Sequence, residues 1–126
     1  MHTKLLFASL LLMFTFTAQG AVTLYTSTLF FDQDAGGGLE CRVVNVSNKS
    51  LKITIELYGT NGSSLKHSSS TVKPLNQYSI NSPSYGVQYC KFTVKNGEAG
   101  DVRASINAYK NDGSTNDGDI VALPAQ

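Results

Sequence analysis

The chain has few of the residues from which most active sites are built. Of its 126 residues, only two are histidine and two are cysteine, and there is no tryptophan. Because His2 lies in the N-terminal segment, His67 is the single histidine in the rest of the chain. Nucleophilic catalysis needs a base beside the nucleophile, and successive residues of "HSSS" on a strand point to opposite faces. We therefore expect the protein to be non-enzymatic.

The sequence also lacks clusters of like charge. Of the ten lysines and arginines, Lys4 lies in the N-terminal segment, and the other nine equal the aspartates and glutamates in number. Proteins bind nucleic acids mainly through lysine and arginine contacts to phosphates. Since no basic block is present, we expect neither nucleic acid nor an anionic lipid as a partner.

A long, predominantly apolar run occurs at the N-terminus. Lys4 precedes it, it covers residues 5–16, and the small residues Ala18 and Gly20 follow, which is the pattern of a secretory signal peptide. The run is shorter than the about 20 apolar residues that a membrane-spanning helix needs. We predict that residues 1–20 are a signal peptide and that residues 21–126 form one secreted or periplasmic domain without membrane insertion.

The sequence of this domain has the two-residue period of β-strands and no 3.6-residue helical period. In residues 51–58, Leu51, Ile53, Ile55 and Leu57 alternate with polar residues and Tyr58. Turn-forming residues separate such runs, as in "GTNGSS". Strands are predicted at residues 22–31, 39–46, 51–58, 65–72, 77–81, 87–95, 102–109 and 120–123. Seven or eight short strands of this kind are typical of an all-β sandwich or barrel.

The two cysteines, Cys41 and Cys90, fall on the predicted inward faces of their strands. In an oxidising compartment, and with no third thiol present, a disulfide between them is the default interpretation. The alternatives are redox chemistry and metal binding. A reactive thiolate needs an exposed, electropositive site, and zinc usually takes three or four protein ligands. We therefore predict a disulfide that connects two facing sheets.

The positions of these features resemble a known class of domain. Cys41 in the predicted second strand and Cys90 in the sixth resemble the inter-sheet disulfide of immunoglobulin-like sandwiches. The segment "VVNVSNKSLKITIELYGTNG" resembles the central hairpin of bacterial immunoglobulin-like and fibronectin type III-like surface modules. Residues 21–126, including the terminal "LPAQ", resemble small secreted bacterial proteins of unknown function. The resemblance implies an immunoglobulin-like antiparallel β-sandwich of seven or eight strands with one inter-sheet disulfide.

Three tyrosines are candidates for a ligand-binding surface. Tyr58, Tyr89 and Tyr109 each fall on the polar face of a predicted strand. A tyrosine there offers flat apolar area together with a hydroxyl group, which suits a sugar ring or a protein partner if the strands are neighbours. The alternative is that tyrosine is simply a good strand former on a half-exposed face.

A loop near the C-terminus contains weak candidates for calcium ligands, Asp112, Asp117 and Asp119. Its spacing departs from the twelve-residue calcium loop, because counting from Asp112 places Asp117 at the position that requires glycine. Aspartate and glycine are also common turn residues. We therefore expect no metal and no other cofactor.

The expected function is that of an adhesion, envelope or matrix-associated binding module, with a protein or carbohydrate at the cell surface as its partner. The alternative is a small-molecule or carbohydrate-binding domain that uses the tyrosines or the acidic loop.

Overall fold

The computed structural model describes residues 20–31, 37–83, 85–109 and 119–126 of the chain. These residues form nine β-strands, one turn of 3₁₀ helix at Ala99–Asp101, and no α-helix. The strands are β1 (Val22–Tyr25), β2 (Leu29–Phe31), β3 (Gly38–Asn45), β4 (Leu51–Tyr58), β5 (Ser64–Val72), β6 (Gln77–Ser82), β7 (Gly86–Val94), β8 (Val102–Tyr109) and β9 (Asp119–Pro124). The predicted signal peptide lies, except for Gly20, outside the described residues.

The strands form two antiparallel sheets. The first sheet has the order β1-β7-β4-β5, and β2 pairs with a further part of β7. The second sheet has the order β6-β3-β8-β9. The prediction of an all-β, antiparallel fold is confirmed.

The inward faces of both sheets share one hydrophobic core. In β4, every second residue from Leu51 to Leu57 is at most 1% exposed, while the residues between them reach the solvent side. The first sheet also contributes Leu24, Val72, Phe92 and Val94, and the second contributes Leu39, Val43, Ile80, Val102, Ile106 and Ala108. Each sheet therefore has one face on the core and its other face toward the solvent.

A disulfide joins the two sheets through this core. Cys41 of β3 and Cys90 of β7 are bonded, and both are 0% exposed. The predicted pairing is confirmed. A buried disulfide of this kind indicates an oxidising, non-cytoplasmic environment.

Residues 22–31 form two strands, whereas the sequence pattern predicts one, so the described residues contain nine strands and not seven or eight. Tyr25 pairs with Lys91, but Leu29 pairs with Gln88, so the chain contains one extra residue between β1 and β2 relative to β7. The extra residue follows Thr26, whose hydroxyl accepts a hydrogen bond from the Cys90 N–H at 2.9 Å. This side-chain bond replaces part of the regular ladder and divides the predicted strand.

The strand order also differs from that of a constant-type immunoglobulin domain. In that domain the first strand pairs with the strand of the first cysteine, and the last strand pairs with the strand of the second. In this chain β1 pairs with β7, the strand of Cys90, and β8 pairs with β3, the strand of Cys41. Alternation in the sequence specifies which face of a strand is buried, but it does not specify which strand is the neighbour.

Asn45 occupies the last inward position of β3 and is 0% exposed. Its side-chain amide donates to the carbonyl oxygens of Lys49 at 2.7 Å and Val72 at 2.9 Å. Its side-chain oxygen accepts from the N–H and the hydroxyl of Ser47. The side chain therefore connects the β3–β4 turn to the end of β5.

We expect Asn45→Ala to lower the free energy of unfolding by about 1–3 kcal/mol, because the substitution removes the side-chain donor to the buried carbonyl oxygen of Val72. Urea denaturation measures this change. Asn48→Ala is the control, since Asn48 is exposed in the same turn, and it should change the value by less than about 0.5 kcal/mol. Equal effects of the two substitutions would contradict the structural role given to Asn45.

Candidate functional site: a tyrosine-rich sheet face

The solvent side of the first sheet carries two of the predicted tyrosines side by side. Tyr58 of β4 and Tyr89 of β7 are direct partners in the strand register. Their rings are stacked, with centroids 5.2 Å apart and an angle of 11° between the ring planes. Since the adjacent residues Leu57 and Cys90 are fully buried, alternation along each strand places both tyrosines on the outer face.

A third tyrosine extends this pair. Tyr25 of β1 lies opposite Lys91, is 49% exposed, and has its ring centroid 6.5 Å from that of Tyr89 at an angle of 49°. Tyr25 is not among the three tyrosines predicted from the sequence. Alternation could have identified it, because Tyr25 follows the apolar Leu24 and successive residues of a strand point to opposite faces. Leu24 is indeed buried in the structure.

Phe30 and Val87 continue the apolar area on the same outer face. They are direct partners between β2 and β7 and are 66% and 37% exposed. Phe30 reaches this face because of the extra residue between β1 and β2. In an unbroken strand it would point away from the side occupied by Tyr25. We call Tyr25, Phe30, Tyr58, Val87 and Tyr89 the tyrosine face.

The stacking decides what this surface offers to a ligand. One face of the Tyr89 ring is covered by Tyr58, and Tyr25 packs against Tyr89 from the strand on its other side. The middle ring is therefore not open for flat stacking on a sugar. The Tyr89 ring instead presents its edge and hydroxyl group, beside the exposed side chains of Tyr25, Phe30 and Val87, and together they form an amphipathic surface of the kind found at protein contacts.

An ion pair borders the tyrosine face. The Lys91 Nζ lies 3.2 Å from a carboxylate oxygen of Glu56, and these residues are direct partners on β7 and β4. Burial of the phenol and its hydrogen bond to the Glu56 carboxylate raise the pKa of Tyr58 above 10.0. The hydrogen bond with Glu56 likewise raises the pKa of Lys91. The Glu56 carboxylate therefore interacts with both Tyr58, one ring of the stacked pair, and Lys91.

Tyr109 lies elsewhere. It belongs to β8 in the second sheet, where its register partner is Gly38, so the structure does not bring it together with Tyr58 and Tyr89. Burial, and then the negative charge of Glu40, raise the pKa of Tyr109. Its polar-face position was visible in the sequence, but the sheet to which it belongs was not.

We expect Tyr58 and Tyr109 to ionise at higher pH than an unperturbed tyrosine. Because both phenols keep their protons more firmly in the folded state, their contribution to stability is complete below the unfolded pKa of 10.0 and is lost as the pH rises through the folded value. NMR titration of the assigned ring carbons measures each pKa. Glu56→Gln should lower the pKa of Tyr58 and leave that of Tyr109 unchanged. A pKa of Tyr58 that does not respond would contradict the hydrogen bond.

The side chains of the acidic candidates near the C-terminus lie outside the described part of the chain, whereas His67 lies within it. Asp112, Asp117 and the side chain of Asp119 lie outside it, and the residues inside it contain no group of three or more His, Cys, Asp or Glu side chains that could hold a metal ion. His67 is exposed on β5 opposite Glu56. The hydroxyl of Ser69, two residues further along β5, is hydrogen-bonded to the Thr54 hydroxyl.

The described segments contain no helix that is long and apolar enough to cross a membrane.

Comparison with known proteins bears on the fold. No family model matches the chain, and no curated protein matches it. The crystal structure of Thermotoga maritima 1070 is similar, with a TM-score of 0.55 and 10% sequence identity, over 86% of this chain and 95% of that chain. At this identity the likeness shows a shared fold and nothing about a shared site.

Proposed function

We propose that the protein is a secreted or periplasmic, non-enzymatic binding module that recognises a protein partner at the cell envelope or in the extracellular matrix. The tyrosine face is the recognition surface. The observation that supports it most directly is the stack of Tyr58 on Tyr89 on the solvent side of the sheet, beside the exposed side chains of Tyr25 and Phe30.

The composition of the tyrosine face suits this role. Tyrosine is enriched among the residues that dominate binding energy at protein interfaces. It brings a large contact area and a hydroxyl group, and it has few side-chain torsions to immobilise. Here the stacked rings restrain one another before a partner arrives, which reduces the entropic cost of binding. Contiguous exposed apolar area on a soluble domain is itself a mark of an interaction surface.

The rest of the molecule supports the surface as a scaffold. The tyrosine face is carried by β7 and by the three strands β1, β2 and β4, each of which pairs antiparallel with β7. The disulfide connects β7 to the second sheet. The apolar N-terminal run and the disulfide favour export. The architecture proposed is an immunoglobulin-like sandwich in which β1 and β8 have exchanged sheets.

The proposal is tested by measuring how much of the purified protein is retained on envelope and extracellular material from the producing cells. The Y25S/Y89S variant removes the exposed Tyr25 and the half-buried Tyr89, and we expect it to lose most of the retention of the unmodified protein. The V46S/L75S variant is the matched control, because Val46 and Leu75 are also exposed, at 42% and 81%, but lie in turns outside the tyrosine face. It should be retained normally. Thermal denaturation confirms that both variants fold.

Pretreatment of the material separates the classes of partner. If the partner is a protein, protease treatment abolishes retention and periodate oxidation of sugars does not. The reverse result would support the carbohydrate-binding alternative. Equal retention of Y25S/Y89S and the unmodified protein would show that the tyrosine face is not the recognition surface.

A further inference from the structure

The outer face of the first sheet has a second feature beyond the Glu56–Lys91 pair. A cleft of about 330 Å³ lies over the start of β4, the middle of β5 and the end of β7. Its polar lining consists of Lys52, Thr54, Ser69, Ser70, Thr71 and Lys95. We call it the lysine–hydroxyl cleft. Tyr58 is six positions after Lys52 on β4, about 20 Å away at about 3.4 Å per residue, so the cleft is distinct from the tyrosine face.

The two lysines are held next to each other by the backbone. The Lys95 N–H donates to the Lys52 carbonyl oxygen at 3.0 Å. The side chain of Asn96 then accepts from the Lys52 N–H at 2.8 Å and donates to the Ser50 carbonyl oxygen at 3.1 Å. These three hydrogen bonds fix the turn after β7 against the start of β4. The lysine stems therefore leave the sheet from adjacent, fixed positions.

Both ammonium groups are available to a ligand. Lys52 and Lys95 are exposed, and neither belongs to an ion pair within the described residues. Along β4, the nearest carboxylate on this face is that of Glu56, and it is already bound to Lys91. In the turn after Lys95, the Asp101 carboxylate accepts the Glu98 N–H at 2.9 Å. Two lysines that form no ion pair with any described residue therefore border the cleft.

The hydroxyl groups add a directed donor. Thr54 Oγ1 and Ser69 Oγ are 2.7 Å apart and share one hydrogen bond. Each hydroxyl carries one hydrogen and can accept through two lone pairs. Only one of the two hydrogens is used between them, so the other remains free to donate to a ligand. Thr71, which also lines the cleft, can supply a further donor.

We propose that the lysine–hydroxyl cleft binds a tetrahedral oxyanion, the sulfate or phosphate ester group of an anionic polymer. Two ammonium groups and hydroxyl donors on neighbouring strands approach a ligand from different directions. A tetrahedral ester group has two or three terminal oxygens that accept from such directions at once, and hydrogen bonds from charged donors to these oxygens are the stronger kind. This site would bind independently of the tyrosine face.

NMR titration with inorganic sulfate and inorganic phosphate provides the first test. The expected result is that amide shifts change at Lys52, Thr54, Ser69 and Lys95, and that added sodium chloride weakens the response because the contacts are electrostatic. Binding is then measured with dextran sulfate and with poly(glycerol phosphate). Tighter binding of one polymer identifies whether the ester group is a sulfate or a phosphate.

Matched variants separate a site from general charge. K52Q/K95Q removes two positive charges from the cleft, and K49Q/K73Q removes two from exposed positions outside it. We expect K52Q/K95Q to weaken polymer binding about fivefold to tenfold more than K49Q/K73Q does. Thr54→Val, which changes no charge, should weaken it about twofold to fivefold. Equal losses in the two lysine variants, or amide shifts that do not change at the cleft, would overturn the proposal.

Discussion

Removal of the disulfide by Cys41→Ala together with Cys90→Ala is expected to lower the free energy of unfolding by about 2–5 kcal/mol. The two cysteines are 49 residues apart in the sequence, and closing a loop of this size reduces the entropy of the unfolded chain by the equivalent of about 4 kcal/mol. Small domains are typically stable by only about 5–15 kcal/mol. The midpoint of thermal unfolding should fall by about 10–30 °C.

The effect arises from the position of the bond as well as from the loop length. Because β3 and β7 belong to different sheets, the bond cross-links the two layers in addition to the backbone turns between them, and both cysteines also contribute side-chain volume to the core. Urea denaturation of the double variant measures the loss. As a control, a reducing agent should destabilise the unmodified protein by a similar amount and leave the double variant unchanged. A loss below about 1 kcal/mol would contradict the role assigned to the disulfide.

A comparably large loss, about 3–5 kcal/mol, is expected for Phe92→Ala. Phe92 is the largest of the fully buried side chains. Its register partners are Leu24 on β1 and Ile55 on β4, so its ring fills the core between two neighbouring strands. Truncation removes apolar contacts and leaves a cavity that strands fixed by pairing on both sides cannot readily close.

The same chain supplies a control for this substitution. Phe30→Ala removes an identical side chain from a position that is 66% exposed, and it should change the free energy of unfolding by less than about 0.5 kcal/mol. Chemical denaturation of the two variants gives the comparison. If Phe30→Ala destabilised the protein as much as Phe92→Ala, the assignment of the two faces of β7 and its neighbours would be wrong.

Residue alternation made the buried side of the molecule predictable. The regular pattern of Leu51 to Leu57 assigns every second side chain of β4 to the core, and the same parity places Cys41 and Cys90 inward. With two cysteines in the chain, the pairing followed directly. The alternation along β3 also places Asn45 on the inward side, where it is buried and hydrogen-bonded.

The candidate site was less predictable, because alternation along a strand shows which side chains share a face but does not identify the neighbouring strand. Tyr58, Tyr89 and Tyr109 looked equivalent in the sequence, yet the strand order joins the first two and places Tyr109 in the other sheet. The one-residue offset after Thr26 brings Phe30 to the same outer face as Tyr25. Such an offset depends on one side-chain hydrogen bond between strands that are distant in the sequence, and local patterns do not encode it.

Photo-cross-linking from a single position tests the tyrosine face most directly. In one variant a photoreactive phenylalanine analogue replaces Tyr25 on the outer face of the first sheet. In a second variant the analogue replaces Ser79, which is exposed on β6 of the second sheet. Each variant is illuminated on envelope and extracellular material from the producing cells. We expect a discrete protein adduct from position 25 and none from position 79. Adducts of equal yield from both positions, or from position 79 alone, would contradict a recognition surface at the tyrosine face.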